Sequence, residues 1–178
     1  MDTTDRRDFV RALALGTTLA AAGVRPGLAA EATPLPHAFS WQHAPVPLPF
    51  APARLNGLSE KLLQSHWENN YGGSVRALNA VRSRLSQALE DKDLPPYIYN
   101  GLKREQLLRT GSVVLHELYF ANLGGSGAAG AALRSRMGAA FGTFDRWESE
   151  FRRIAFGLAG GSGWVVLGFN RHLGLIEN

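Results

Sequence analysis

The sequence predicts an α+β protein: an N-terminal antiparallel helical hairpin followed by an α/β segment with a small antiparallel sheet. Two long stretches carry apolar residues at helical spacing and are separated by "EDKDLPP", whose two prolines and alternating charges mark a turn. Two shorter helical patterns then follow a glycine-rich break. Near the end the period changes, because "GWVVLGFN" and "HLGLIEN" are short, β-branched and turn-separated, which predicts an antiparallel pair around "NRH".

Residues 1–32 follow the three-part plan of an export signal, with Arg6 and Arg7 ahead of Phe9, a weakly apolar stretch over 12–24, and a small-residue exit at Ala30-Glu31-Ala32. The apolar stretch falls short of the roughly 20 residues that span a bilayer as a helix, so no permanent membrane anchor is expected. Paired arginines with modest hydrophobicity resemble twin-arginine signals, which carry folded proteins across the bacterial inner membrane. A periplasmic destination is implied, and folded export suits a protein that acquires its cofactor in the cytoplasm.

Residues 33–53 hold six of the nine prolines. Their locked dihedrals and missing donors predict an extended arm without helix. His37 and His43 fall in this arm and read as solvated loop residues. The helical hairpin is assigned to 54–125 and the incomplete α/β segment to 126–178.

The first long helix is expected from Ser59, a side chain suited to capping, to about Leu89. In "LLQSHWENNYGGSVRALN" the residues His66, Asn70 and Ser74 fall on the stripe that should face the core. Gly72 and Gly73 each cost about 1 kcal/mol relative to alanine in a helix, which predicts close approach of a second helix or a ligand there. The second helix is expected over 103–123, with Leu108, Ser112, Leu115, His116, Tyr119, Phe120 and Leu123 on one side. "AALRSRMGAAFG" and "FDRWESEFRRIAFGLAG" predict two shorter helices, the second starting at Thr143 or Asp145.

The formal charge is +4, and removing residues 1–30 takes away four arginines and three aspartates, leaving +3. The charge is spread along the chain with no basic run interleaved with aromatics, so a nucleic-acid partner is not expected. There is no cysteine, so any metal must use histidine, carboxylate or water.

Two readings of the helical histidines stand open. As core residues, His66 and His116 need hydrogen-bond partners, since an unsatisfied buried polar group costs about 1–3 kcal/mol, and Asn70 and Ser112 are candidates four residues away. As ligands on facing helices they converge on one ion, as bundle cores allow. Helical geometry turns Glu68 and Glu117 away from the neighbouring histidines, so the residues by themselves supply two ligands.

Several segments together resemble the iron/manganese superoxide dismutase family. "LPFAPARLNGLSEKLLQSHWENNYGGSVRALN" is similar to its opening and first ligand helix, "VVLHELYFANLGGSG" to its second, and "AAFGTFDRWESEFRRIAFGLAGGSGWVVLGFN" to its helical connector and first strand. The likeness spans about residues 47–178. It implies His66 and His116 as two ligands of a mononuclear iron or manganese ion. It also implies disproportionation of superoxide to oxygen and hydrogen peroxide, and pairing as a homodimer. The family's remaining aspartate and histidine ligands lie in an Asp-x-Trp-Glu-His type segment after the third strand, absent up to Asn178. The chain is thus expected to be a fragment or truncated homologue, with little activity alone.

The residues around the site depart from the family pattern. Four and eight positions after the first ligand, where the family commonly has histidine and tyrosine, stand Asn70 and Ser74. The two positions that supply the family's solvent-binding glutamine hold Ser112 and Gly160. Phe120, Trp164 and Tyr119 are expected to pack around the metal. These departures also motivate a different class of reading, an exported non-catalytic scaffold that serves as a binding or interaction module.

Overall fold

Residues 37–178 are described by the computed structural model. The export-type segment at 1–32 and the first residues of the proline-rich arm lie outside them. His37–Ser40 forms a single helical turn, α1, and Pro52–Arg54 a 3-10 turn, so the expectation of an arm wholly without helix is corrected. The turn at His37–Ser40 contains no proline, and in the 3-10 turn Pro52 sits first, where its missing N–H costs nothing.

Ser59 caps the first long helix by accepting a hydrogen bond from the Leu62 amide, as its side chain predicts. That helix is not one continuous α-helix. It comprises α2 (Glu60–Ser65), a π-helical turn (His66–Tyr71) and α3 (Gly72–Glu90). At the junction the Gly72 amide reaches back to the carbonyl of Trp67, five residues earlier. One turn therefore holds an extra residue, and the stripe shifts by one position. Tyr71, not Asn70, falls beneath His66: Tyr71 is 0% exposed while Asn70 faces solvent.

The glycine pair has a local reason. A Cβ on Gly72 would meet a guanidinium nitrogen of Arg76 at 3.2 Å and the Trp67 carbonyl at 3.4 Å, and neither neighbour belongs to a second helix. The expected close approach of the hairpin partner at these glycines is thus not found. What lies against them is the Arg76 side chain of α3, joined at Gly72 by the Trp67 carbonyl of the π-helical turn.

The second long helix, α4 (Pro96–Ala121), starts a full two turns before the expected position. Pro96 sits within its first turn, where a ring-locked φ suits the helix. The early turns escape a periodicity reading because Tyr97 and Ile98 face solvent and define no stripe. α3 and α4 pack as the antiparallel hairpin around Tyr71, Val75, Leu78, Val81, Val113 and Phe120. Leu48 of the arm and Trp67, Leu102, Tyr119 and Leu123 close this core. Each fully buried apolar side chain of this size contributes about 1.5–3 kcal/mol, so the hairpin is held by its core more than by helix propensity.

Two shorter helices follow, α5 (Ala131–Phe141) and α6 (Phe144–Gly157), and they pack on each other. Thr143 is the cap of α6, accepting from the Arg146 amide, which decides between the two expected starts. β1 (Gly168–Asn170) and β2 (Leu175–Glu177) form the antiparallel pair, with Phe169 opposite Ile176. Asn170 closes the turn by accepting from the amides of His172 and Leu173. Because that turn sets the register, the ladder pairs Gly168 with Glu177 and takes only the end of the expected first strand. The protein is α+β, largely helical with a small antiparallel sheet.

Candidate metal centre

His66 opens the π-helical turn and His116 lies on the face of α4 that meets it. Their Nε2 atoms are 3.1 Å apart. The Nδ1 of His116 lies 2.7 Å from the carbonyl oxygen of Ser112, which can only accept, so Nδ1 carries the proton and Nε2 presents its lone pair. In this arrangement His66 Nε2–H donates to His116. The same spacing fits adjacent ligands of one ion, because two metal–nitrogen bonds of about 2.1 Å at roughly a right angle place the nitrogens about 3 Å apart. Two imidazole nitrogens are a suitable partial donor set for iron or manganese. Among the described residues no group of three or more His, Cys, Asp or Glu is gathered to complete it.

The environment favours a neutral imidazole at His66. Burial lowers the pKa of His66 below its ordinary value, and the neighbouring His116 pushes in the same direction. A neutral imidazole is the form that binds metal. Aromatic rings surround the pair: Trp164 stands edge-on to His116 at 4.9 Å, and Phe120 and Tyr119 lie 5.4 and 5.5 Å from His66. The three aromatics expected here from the sequence are all in place.

The four polar positions singled out in the sequence separate into two that meet and two that do not. Ser74 and Ser112 share a hydrogen bond of 2.8 Å across the hairpin, and the Ser112 hydroxyl lies 3.4 Å from His116 Nδ1. Ser112 is thus the predicted partner of His116. Asn70 makes no bond to His66; the π-helical turn moves it to an open groove lined with Ser59, Lys61, Leu62, Ser65 and His66. Gly160 is exposed with φ +121, a backbone conformation that suits glycine, and nothing stands within 4 Å of where its Cβ would be.

Three further residues, Tyr71, His43 and Glu117, had no role at the site in the sequence reading. Tyr71 packs its ring 6.1 Å from that of His116, and its hydroxyl donates to Glu117 Oε1 at 2.7 Å. His43 donates from Nε2 to the same oxygen at 2.6 Å, which corrects its reading as a solvated loop residue. Glu117 does turn away from His116, as helical geometry requires, and that direction aims it at the arm. The available signal was a glutamate on a largely apolar helix end beside a histidine. Burial, chiefly, pushes the Tyr71 pKa up to about 12; the Glu117 carboxylate adds to this and the Val46 amide opposes it.

No family model matches the chain. It is 46% identical over 132 residues to the Superoxide dismutase [Fe] of Cupriavidus metallidurans, covering 74% of this chain and 66% of that protein. The chain belongs to the iron/manganese superoxide dismutase family. It is also 31% identical over 125 residues to the Superoxide dismutase [Fe] of Aquifex aeolicus, covering 67% and 57% of the two chains. With the Superoxide dismutase [Mn] of Mycobacterium intracellulare it shares 30% identity over 116 residues, covering 64% and 54%. The matched part thus spans between about half and two thirds of these superoxide dismutases. Relatives named for either metal accord with a centre whose protein nitrogens suit both.

Proposed function

We propose that this chain serves a superoxide dismutase, in which two superoxide ions and two protons give one oxygen and one hydrogen peroxide at a single iron or manganese ion. The observation that carries this reading is the convergence of the His66 and His116 Nε2 atoms, 3.1 Å apart on facing helices. The names of the relatives support the same chemistry. The ion would be held in part by these two nitrogens and would supply a one-electron couple between its divalent and trivalent states.

The chain's own residues have separate tasks. The Ser112 carbonyl orients His116 and keeps its Nε2 free to bind. Trp164, Tyr119 and Phe120 restrict water around the pair. The open groove carries Lys61 and Asn70 beside His66, a cation and an amide suited to an approaching anion. Residues 1–32 direct the folded protein to the periplasm, and the mature protein pairs as a homodimer. Among the described residues no helix is long and apolar enough to cross a membrane.

The test is metal content and superoxide consumption by the protein expressed in full with its own signal, beside His66→Ala. The expected result is iron or manganese and catalysis in the parent, both lost in the variant. Folded, metal-free, inactive parent protein would favour the exported scaffold instead.

A further inference from the structure

An arm with few helical or sheet partners must satisfy its backbone groups some other way. Here the hairpin supplies side chains. The His43 amide donates to Asn79 Oδ1 at 2.9 Å, and Asn79 Nδ2 returns a bond to the His43 carbonyl at 3.0 Å. The Val46 amide donates to the Tyr71 hydroxyl at 2.7 Å, and the Val46 carbonyl accepts from Trp67 Nε1 at 2.9 Å. Arg82 lies over the Trp41 ring at 4.4 Å. These contacts fasten the arm between Trp41 and Val46 along α3 and the π-helical turn.

One atom joins these fastenings to the histidine pair. Glu117 Oε1 accepts from both His43 and Tyr71, so the arm, the π-helical turn and α4 meet at a single carboxylate. The Tyr71 hydroxyl thereby both accepts and donates, taking a hydrogen bond from the Val46 amide and giving one to Glu117. Its ring is fully buried against His116 and Phe120. Both participants in the short His43–Glu117 bond are mostly shielded, with side chains 17% and 27% exposed, which strengthens it relative to a surface pair.

We propose that Glu117 is a positioning residue: it latches the proline-rich arm to the hairpin and, through Tyr71, holds the His116 imidazole in register with His66. The latch lies on the side of α4 turned away from the metal-facing nitrogens. It acts by fixing the ring's packing partner, without touching the ring. Its purpose rests on the metal-centre reading, but its effect is measured on metal-free protein, so a chain that binds no metal can still show the latch or lack it.

The experiment compares the full chain with Glu117→Ala, Glu117→Gln and Tyr71→Phe, without metal. It follows hydrogen exchange at the His43 and Val46 amides and the side-chain nitrogen resonances of His66 and His116. In Glu117→Ala, Val46 exchange is expected to rise about tenfold, the scale of one lost hydrogen bond opening a local segment, with displaced His116 resonances. Glutamine at this position retains an acceptor for Tyr71 and is expected to recover part of both effects. Unchanged Val46 exchange and His116 resonances in Glu117→Ala would overturn the proposal. Should that variant fail to fold, Tyr71→Phe decides, since it removes only the hydroxyl: loss of Val46 protection with moved His116 resonances supports the latch, and parent-like behaviour overturns it. A separate Mn2+ titration of the parent reports on the metal centre itself.

Discussion

The Nε2 atoms of His66 and His116 lie 3.1 Å apart although 50 residues separate them in sequence. Helix geometry brings each imidazole to its own face, and only hairpin packing brings the two faces together. The pair therefore reports on the hairpin as well as on the proposed metal centre.

Mn2+ is paramagnetic and broadens nearby nuclei, so weak binding is still readable. On titration into the chain, the His66 and His116 side-chain resonances are expected to broaden before any others. His66→Ala should weaken the broadening at His116 by at least about tenfold in Mn2+ concentration, in line with the loss of one ligand. Equal broadening at His172, which is remote in sequence and exposed, would reject a shared site.

Acid should destabilise the metal-free chain through His66. Its folded pKa is lowered by burial and by His116, while its unfolded value is the ordinary 6.5. The unfolded state therefore takes up the proton first as pH falls. The stabilising effect of a neutral His66 is complete above the unfolded value and is lost progressively below it. Thermal unfolding between pH 8 and 5 should show a steeper fall in Tm for the parent than for His66→Gln; identical slopes would refute the assignment.

Leu78 is 1% exposed at the centre of the hairpin core, whereas Leu107 is 75% exposed on α4. Leu78→Ala is expected to cost about 2–5 kcal/mol through lost burial and the residual cavity. Leu107→Ala should stay within about 0.5 kcal/mol. Urea unfolding of both variants measures the contrast.

Ser112 has two separable roles. Its carbonyl orients His116, while its hydroxyl pairs with Ser74, which is 5% exposed. Ser112→Ala keeps the carbonyl and strands the Ser74 hydroxyl, so stability should fall by about 1–3 kcal/mol. The Mn2+ response of His116 should persist, and its disappearance would assign the orientation of His116 to the hydroxyl.

Much of the fold was legible from local chemistry. Ser59 and Thr143 announce helix starts, "EDKDLPP" announces the turn between the long helices, and "NRH" marks the final turn. The family resemblance implied His66 and His116, and the structure brings both together with Trp164, Tyr119 and Phe120. The stripe of His66, Asn70 and Ser74 misled only at Asn70, because it assumed a uniform helical period; Ser74 does face the core, at 5% exposure. Nothing in "HWENNY" announces the extra residue in that turn.

By itself, then, the sequence determined the helical hairpin, the two shorter helices and the caps at Ser59 and Thr143, since caps, breakers and periodicity act over a few neighbouring residues; the start of α4 at Pro96 and the short turns of the arm escaped it. Tertiary structure alone decided that Tyr71 replaces Asn70 beneath His66, and that His43 docks on Glu117. The physical reason is range. His43 and Glu117 are 74 residues apart, and a hydrogen bond between them exists only after arm and hairpin have packed.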